Sequence, residues 1–315
     1  APALMATNAT AGVIAQLGFE AEIGLLRDQV RDWIHQCSEE VQEPLRWQFD
    51  DGNAKYFRPL TMFSCYRAIY EGPIPQSLMR AALVLEMFHN VSLIVDDILD
   101  ESDERRGKPT LHCRFGLLPA LMTSGYIVAD GYRAVCDDPL SIRLLSELLE
   151  RLGVAECAQW RLRRQPLGVD DWRGIAGEDT GSMFEICACL ATRTEELRRF
   201  GGLLGVLYHG CDDVGDCKGL EALGGGGIQD LNDGILTLPV SFAIRDPRIR
   251  SLFCGSQPTH AELDEISCAM RAELPEAEAY LDRLAEEAKR EARTEVPNPD
   301  PLFALVDHTR QLSMR

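Results

Sequence analysis

Residues 79–100 read Met-Arg-Ala-Ala-Leu-Val-Leu-Glu-Met-Phe-His-Asn-Val-Ser-Leu-Ile-Val-Asp-Asp-Ile-Leu-Asp. On a 3.6-residue period Leu83, Val84, Met87, Val91, Ile94, Val95 and Ile98 fall on nearly every side, which predicts a helix buried on most faces and central in a bundle. Between Ala81 and Leu99 the stretch is interrupted by Glu86, His89, Asn90, Asp96 and Asp97. It therefore lacks the roughly eighteen uninterrupted apolar residues of a membrane span. It closes on Asp96-Asp97-Ile98-Leu99-Asp100, whose first and fifth residues share a helix face.

Outward from this segment, Ile186 to Val206 and Glu276 to Ala292 carry helical patterns, and strand-like alternation is nowhere sustained. Breaks at Asp50 to Asn53, Glu71-Gly72-Pro73, Arg106-Gly107, Asp137-Asp138-Pro139, Gln165 to Gly168, Gly224 to Gly227, Asp246-Pro247 and Pro297 to Pro301 cut the chain into helix-length pieces. None is long or biased enough for an interdomain linker. The expectation is one all-α domain of roughly ten helices over residues 13–315, after a flexible tail over 1–12. The Gly224 to Gly227 run reads as a mobile loop.

The 32 Lys and Arg face 50 Asp and Glu, a formal net charge of -18 that repels nucleic-acid phosphates and anionic membrane surfaces. An anionic ligand then needs a local cationic cluster or carboxylates that recruit divalent cations. The 11 cysteines show no repeated CxxC spacing, and without a second Cys/His pair Cys187 and Cys189 do not make a zinc site. Such thiols read as buried and reduced, which predicts a cytoplasmic location.

Asp212-Asp213-Val214-Gly215-Asp216 repeats the Asp-Asp-x-x-Asp form of residues 96–100. An acidic chain produces two such hits by accident roughly once in a hundred. Clustered carboxylates on helices repel one another unless a cation lies between them, and Mg2+, with water and phosphate oxygens completing its shell, is the natural one. Just past the first motif stands Glu104-Arg105-Arg106-Gly107-Lys108-Pro109-Thr110. Arginine pairs grip phosphate oxygens with bidentate hydrogen bonds, so cations and guanidinium groups together make a diphosphate pocket.

His89-Asn90-Val91-Ser92-Leu93 leading into the first motif, then Arg105 to Thr110, the second motif, Ala54-Lys55-Tyr56-Phe57-Arg58-Pro59, and Asp230 through Thr237-Leu238-Pro239 resemble the trans-isoprenyl diphosphate synthases, closest to the geranylgeranyl type. The resemblance implies an all-α bundle around a central cavity, with the aspartate motifs on facing walls. It implies three Mg2+ ions held by Asp96, Asp97, Asp100, Asp212, Asp213 and Asp216. Allylic diphosphate and isopentenyl diphosphate would be the substrates, and a homodimer the assembly. Lys55, Arg58, His89 and Arg106 match positions that hold isopentenyl diphosphate, and Arg105 one that contacts the allylic diphosphate. Asp96, Asp100, Asp212 and Arg105 would carry the catalysis.

The chain departs from the family where a Lys-Thr pair is usual: the segment reads Asp179-Thr180, leaving Thr180 as the matching substrate contact. Two further lysines are replaced by Gly225 and Ile235, and a glutamine before the second motif by His209. A class I terpene synthase, a prenyltransferase with another acceptor, and a noncatalytic partner subunit therefore stand beside the elongating synthase. Val91 and Ser92 occupy positions where the family places bulky aromatics to stop growth, so the resemblance implies a product of about twenty carbons or more. Phe88, Met122 and Tyr126 are the other candidates to close the cavity floor.

Overall fold

The computed structural model describes residues 2–50, 54–219 and 226–314. Its architecture is helical, as expected, but with more and shorter pieces than ten: seventeen α-helices among the described residues. The extra count comes largely from short helices, such as those at Leu111, Val169, Leu238 and Pro247; the last two carry proline in the first turn, where its missing N–H costs nothing.

Contacts divide the chain into two compact units, Ala1–Leu149 with Cys187–Glu195, and Glu150–Ile186 with Glu196–Arg315. The first holds α1 (Pro2–Leu17), α2 (Glu20–Gln36), α3 (Glu39–Phe49), α4 (Phe57–Ile69), α5 (Gln76–Leu99), β1 (Glu104–Arg105), β2 (Lys108–Pro109), α6 (Leu111–Phe115), α7 (Leu117–Ala134) and the start of α8 (Pro139–Leu162). The second holds the end of α8, α9 (Val169–Ala176), a π-helical turn (Gly177–Gly181), and all of α11 (Arg198–Gly219) through α17. Between them in sequence runs α10 (Ser182–Thr192); the later helices are α12 (Gly226–Asp233), α13 (Leu238–Ala243), α14 (Pro247–Phe253), α15 (His260–Ala272), α16 (Leu274–Glu295) and α17 (Asp300–Arg310). The unit boundaries fall inside α8 and α10, so no Pro/Gly linker marks them.

Residues 1–12, expected as a tail, lie mostly within α1, in keeping with the helix propensity of an alanine-rich sequence. Gly226 and Gly227 of the expected loop open α12, while Gly224 and Gly225 lie outside the described residues.

In the first unit α4 is buried almost all round, through Leu60, Met62, Phe63, Cys65 and Ala68. The helix α5 is long and apolar enough to pass for a membrane span by composition alone, yet half of that apolar window is buried within the protein. It presses on α7 at Gly131, where a Cβ would lie 2.5 Å from the Phe88 ring. The Phe88 and Tyr132 rings meet edge to face at 5.2 Å.

In the second unit α11 is the pivot, packed on α16, α17 and the π-helical turn. A Cβ at Gly205 would lie 2.6 Å from the Gly181 Cα, and one at Gly201 2.5 Å from the Phe184 carbonyl oxygen. Backbone thus meets backbone along this seam, and any side chain there would force the helices apart.

Candidate active site

Asp96 and Asp97 occupy the last turn of α5 and Asp100 caps it. The helix ends in a Schellman arrangement: the Ser102 N–H bonds the Asp97 carbonyl at 2.9 Å and the Glu101 N–H bonds the Ile98 carbonyl at 3.2 Å. Glu101 takes the left-handed conformation, φ 52°, that glycine usually supplies. The chain then turns through a two-residue hairpin, with Arg106 at φ 53° and Gly107 at φ 80° between β1 and β2, the positive-φ geometry that matches strand twist.

This hairpin returns Arg105 to the motif. Its guanidinium donates to both Asp97 oxygens at 2.9 to 3.1 Å, and Asp97 is only 5% exposed. Burial pushes the Asp97 carboxyl up, and Arg105 opposes this. Asp97, grouped with the metal ligands by its motif, is thus occupied by a protein partner, while the i,i+4 carboxylates Asp96 and Asp100 stand half-buried at the end of the helix. A cleft of about 100 Å³ beside them is lined by Asn90, Asp97, Arg105, Arg106 and Lys108. Lys108 is held there by the Trp47 carbonyl and the Trp47 ring.

Deeper in the same unit, Arg58 lies in the first turn of α4 and His89 on α5. The His89 imidazole is held well below its usual range by burial, then by the charges of Arg58 and Arg105, so it is neutral. Its Nδ1 is buried with no hydrogen-bond partner. An enclosed polar nitrogen near two guanidinium groups fits an incoming anion. Lys55 stands exposed just before α4, and Arg106 exposed at the hairpin tip.

In the second unit Asp212 and Asp216 are exposed on one face of α11. Asp213 turns inward, its Oδ2 accepting from Trp172 Nε1 at 2.9 Å and from the Leu238 N–H at 2.9 Å. Burial pushes it up to about 7 against the pull of both bonds. The carboxyl therefore ties α11 to α9 and to the first turn of α13, a task absent from its expected role as a ligand. His209 places Nδ1 2.7 Å from the Thr180 hydroxyl and Nε2 3.8 Å from Asp213. Thr180 itself rides on the π-helical turn, a distortion frequent at functional sites.

In both motifs, then, the second aspartate is anchored to protein and the first and fifth stand on one face. No three His, Cys, Asp or Glu side chains among the described residues form a metal cage by themselves. Two carboxylates per helix, with water and phosphate oxygens for the rest, fit Mg2+, which rarely uses an all-protein shell.

The family model for polyprenyl synthetase matches residues 38–267, a span that contains every one of these side chains. The chain belongs to the polyprenyl synthetase family. The resemblance to the trans-isoprenyl diphosphate synthases is thereby borne out.

The chain is 28% identical over 298 residues to a nonaprenyl diphosphate synthase of Mycobacterium tuberculosis, covering 88% of each protein. It is 34% identical over 205 residues to the chloroplastic solanesyl diphosphate synthase 1 of Arabidopsis thaliana, where the match spans 60% of this chain and 50% of the relative. In fold it is similar to the heptaprenyl diphosphate synthase of Staphylococcus aureus, with a TM-score of 0.84, 21% identity and coverage of 95% and 98%.

Against the polyprenyl synthetase pattern, Asp179 is exposed on the π-helical turn and Ile235 half-buried before α13. Gly225 lies outside the described residues. Val91 and Ser92 lie on α5, Ser92 with its hydroxyl bonded back to the His89 carbonyl. Of the other floor candidates, Phe88 on α5 packs against Gly131 of α7, the Tyr126 hydroxyl accepts from the Ser38 N–H, and Met122 is exposed. Sequence reasoning passed over Trp172, whose indole bond to Asp213 spans 41 positions and leaves no local signal.

Proposed function

We propose that the chain condenses an allylic diphosphate with isopentenyl diphosphate to give a trans-prenyl diphosphate of about twenty carbons or more. What supports this reading is a carboxylate pair in each unit, half-buried Asp96/Asp100 in the first and exposed Asp212/Asp216 in the second, with Arg58, His89 and Arg105 in the first unit. Asp96, Asp100, Asp212 and Asp216 would hold Mg2+, three ions by family likeness, whose charge stabilises the departing diphosphate. Arg58 and neutral His89 would bind the isopentenyl diphosphate. Arg105, fixed by Asp97, would offer its remaining N–H groups to the allylic diphosphate. Ionisation of the allylic C–O bond would release diphosphate and leave a carbocation, the isopentenyl double bond would attack it, and the released diphosphate would take the proton whose loss restores the alkene. Apolar surroundings keep water from the cation. The small Val91 and Ser92 favour a long product.

Purified protein with Mg2+, given dimethylallyl, geranyl, farnesyl or geranylgeranyl diphosphate with and without isopentenyl diphosphate, tests this by mass spectrometry. Longer diphosphates that require isopentenyl diphosphate are expected. Hydrocarbon or alcohol from the allylic substrate alone would mean a terpene synthase instead, and product only on addition of a second chain a partner subunit.

Asp179 and Ile235 stand where cations would grip the allylic diphosphate. Restoring them as Asp179→Lys and Ile235→Lys is expected to lower the KM for the allylic substrate by at least about tenfold, since a charge-assisted phosphate contact is worth about 1.5–3 kcal/mol. Unchanged KM values in steady-state kinetics would show that the allylic diphosphate lies elsewhere.

We further propose a homodimer and a reducing, cytoplasmic location. All eleven cysteines are free, which suits the latter. On α7, Leu117, Leu118, Leu121 and Met122 form an exposed apolar stripe, with Leu118 at 67% and Met122 at 62%, a surface that a second copy would cover. Light scattering should give a dimer that Leu118→Glu with Met122→Glu converts to monomer; a dimer unaffected by both changes places the interface on another face.

A further inference from the structure

The hairpin that carries Arg105 and Arg106 is too short to hold its own shape. Its strands have two residues each, Glu104 paired with Pro109 and Arg105 with Lys108, and a lone two-stranded ribbon is marginal in water. Arg106 takes φ 53° at the tip, a conformation that a residue other than glycine keeps only where its surroundings impose it. The base is closed by the Thr110 N–H on the Asp103 carbonyl at 2.9 Å and the Thr110 hydroxyl on the Ser102 carbonyl at 2.8 Å. Above that base the ribbon depends on other elements.

The two strands are anchored to different helices. Arg105 ties β1 to α5 through Asp97. On the other side β2 is tied to the last turn of α3, where Trp47 is the centre of the attachment. The Trp47 indole N–H donates to the Pro109 carbonyl at 3.0 Å. In return the Lys108 ammonium donates to the Trp47 carbonyl and, at 3.2 Å, to the Asp50 carbonyl. Carbonyls at a helix C-terminus lack partners within the helix and attract a cation.

The Trp47 ring adds to the attachment. Lys108 Nζ stands 4.7 Å from its centre and the Arg114 guanidinium of α6 5.5 Å from it, both within cation–π range. The Phe115 ring meets the indole edge to face at 6.2 Å, and Arg114 pairs with Glu43 of α3 at 3.8 Å. Trp47, Gln48, Asn90, Arg105 and Arg106 line one cleft, so this attachment borders the place where an anion would enter.

We propose that Trp47 is a positioning residue for Arg106, clamping β2 to α3 so that the guanidinium at the hairpin tip is presented to the diphosphate of isopentenyl diphosphate. The inference rests on the reading of Arg106 as a ligand of that substrate. Arg105 keeps its own bonds to Asp97 whether or not β2 is clamped. Loss of the clamp therefore loosens the tip and leaves Arg105 in place, and the allylic diphosphate, read as the partner of Arg105, serves as an internal reference.

Isothermal titration calorimetry of the wild type and Trp47→Leu with isopentenyl diphosphate, and separately with geranyl diphosphate and Mg2+, reads the two contacts apart. Trp47→Leu is expected to raise the Kd for isopentenyl diphosphate about tenfold, the lower end of what one charge-assisted phosphate contact contributes. The Kd for geranyl diphosphate should change by less than about twofold, as for an independent site. Trp47→Phe keeps a ring beside Lys108 and loses only the indole donor, so its effect should fall between the wild type and Trp47→Leu. Lys108→Met leaves Trp47 in place and should weaken the same ligand, which keeps the test open if Trp47→Leu does not fold. In an Arg106→Gln background Trp47→Leu should add less than about twofold. Amide hydrogen exchange in the free Trp47→Leu protein should quicken over residues 103–110 and stay unchanged in α5.

Unchanged affinity for isopentenyl diphosphate in Trp47→Leu and Lys108→Met overturns the proposal. So does equal weakening of both ligands, the mark of general loosening, or a Trp47 effect that survives removal of Arg106. Wild-type turnover with both substrates reads the enzymatic function separately. Elongation without a Trp47 effect removes the clamp alone, and a selective Trp47 effect on binding without any elongation removes the condensation alone. A wild type that does not bind isopentenyl diphosphate removes both.

Discussion

Asp96→Ala and Asp212→Ala are each expected to lower turnover by about a thousandfold or more, with product formation measured under saturating Mg2+ and both substrates. The size of the effect follows from what these carboxylates do: each is half of the oxygen pair through which a divalent charge reaches the departing diphosphate, and loss of such transition-state stabilisation costs several kcal/mol. Folding should be nearly untouched. Asp212 is exposed and Asp96 partly so, and each adjoins like charges on its own helix, so thermal stability should move by no more than about 0.5 kcal/mol. A variant that retains most of its turnover would remove the metal assignment and with it the proposed reaction.

Asp213→Ala should behave in the opposite way, with stability lost first. The Trp172 indole N–H and the Leu238 N–H would both lose their acceptor, and both residues are fully buried. At about 1–3 kcal/mol for each unsatisfied donor, a loss of about 2–4 kcal/mol is expected in urea denaturation. Asp213→Asn keeps a carbonyl oxygen in place and should lose far less. Equal stability of Asp213→Ala and the wild type would show that the carboxyl is not the tie between α9, α11 and α13.

These two variants mark the division between what the sequence makes visible and what it hides. Both motifs could be located from spacing, because a repeat of five positions on a helix is a local property. The different fates of neighbouring aspartates could not, because Asp97 is occupied through a hairpin whose Arg106-Gly107 turn looked like a plain loop, and Asp213 through partners 25 and 41 positions away. The helix count was short for a related reason: α13 and α14 are too brief to show a period, and only their prolines announce them.

The seam at Gly181, Gly201 and Gly205 acts as a mechanical stop. A helix whose side chains interlock with a neighbour can shift slightly as rotamers adjust, but main-chain atoms in contact have no such compliance. Sliding α11 by one position would drive Leu204 or Val206 into the Gly181 backbone. Asp212 lies seven residues beyond Gly205, about 10 Å along the same rigid rod. The height of the second carboxylate pair above the chain is thus gauged by three residues that carry no side chain.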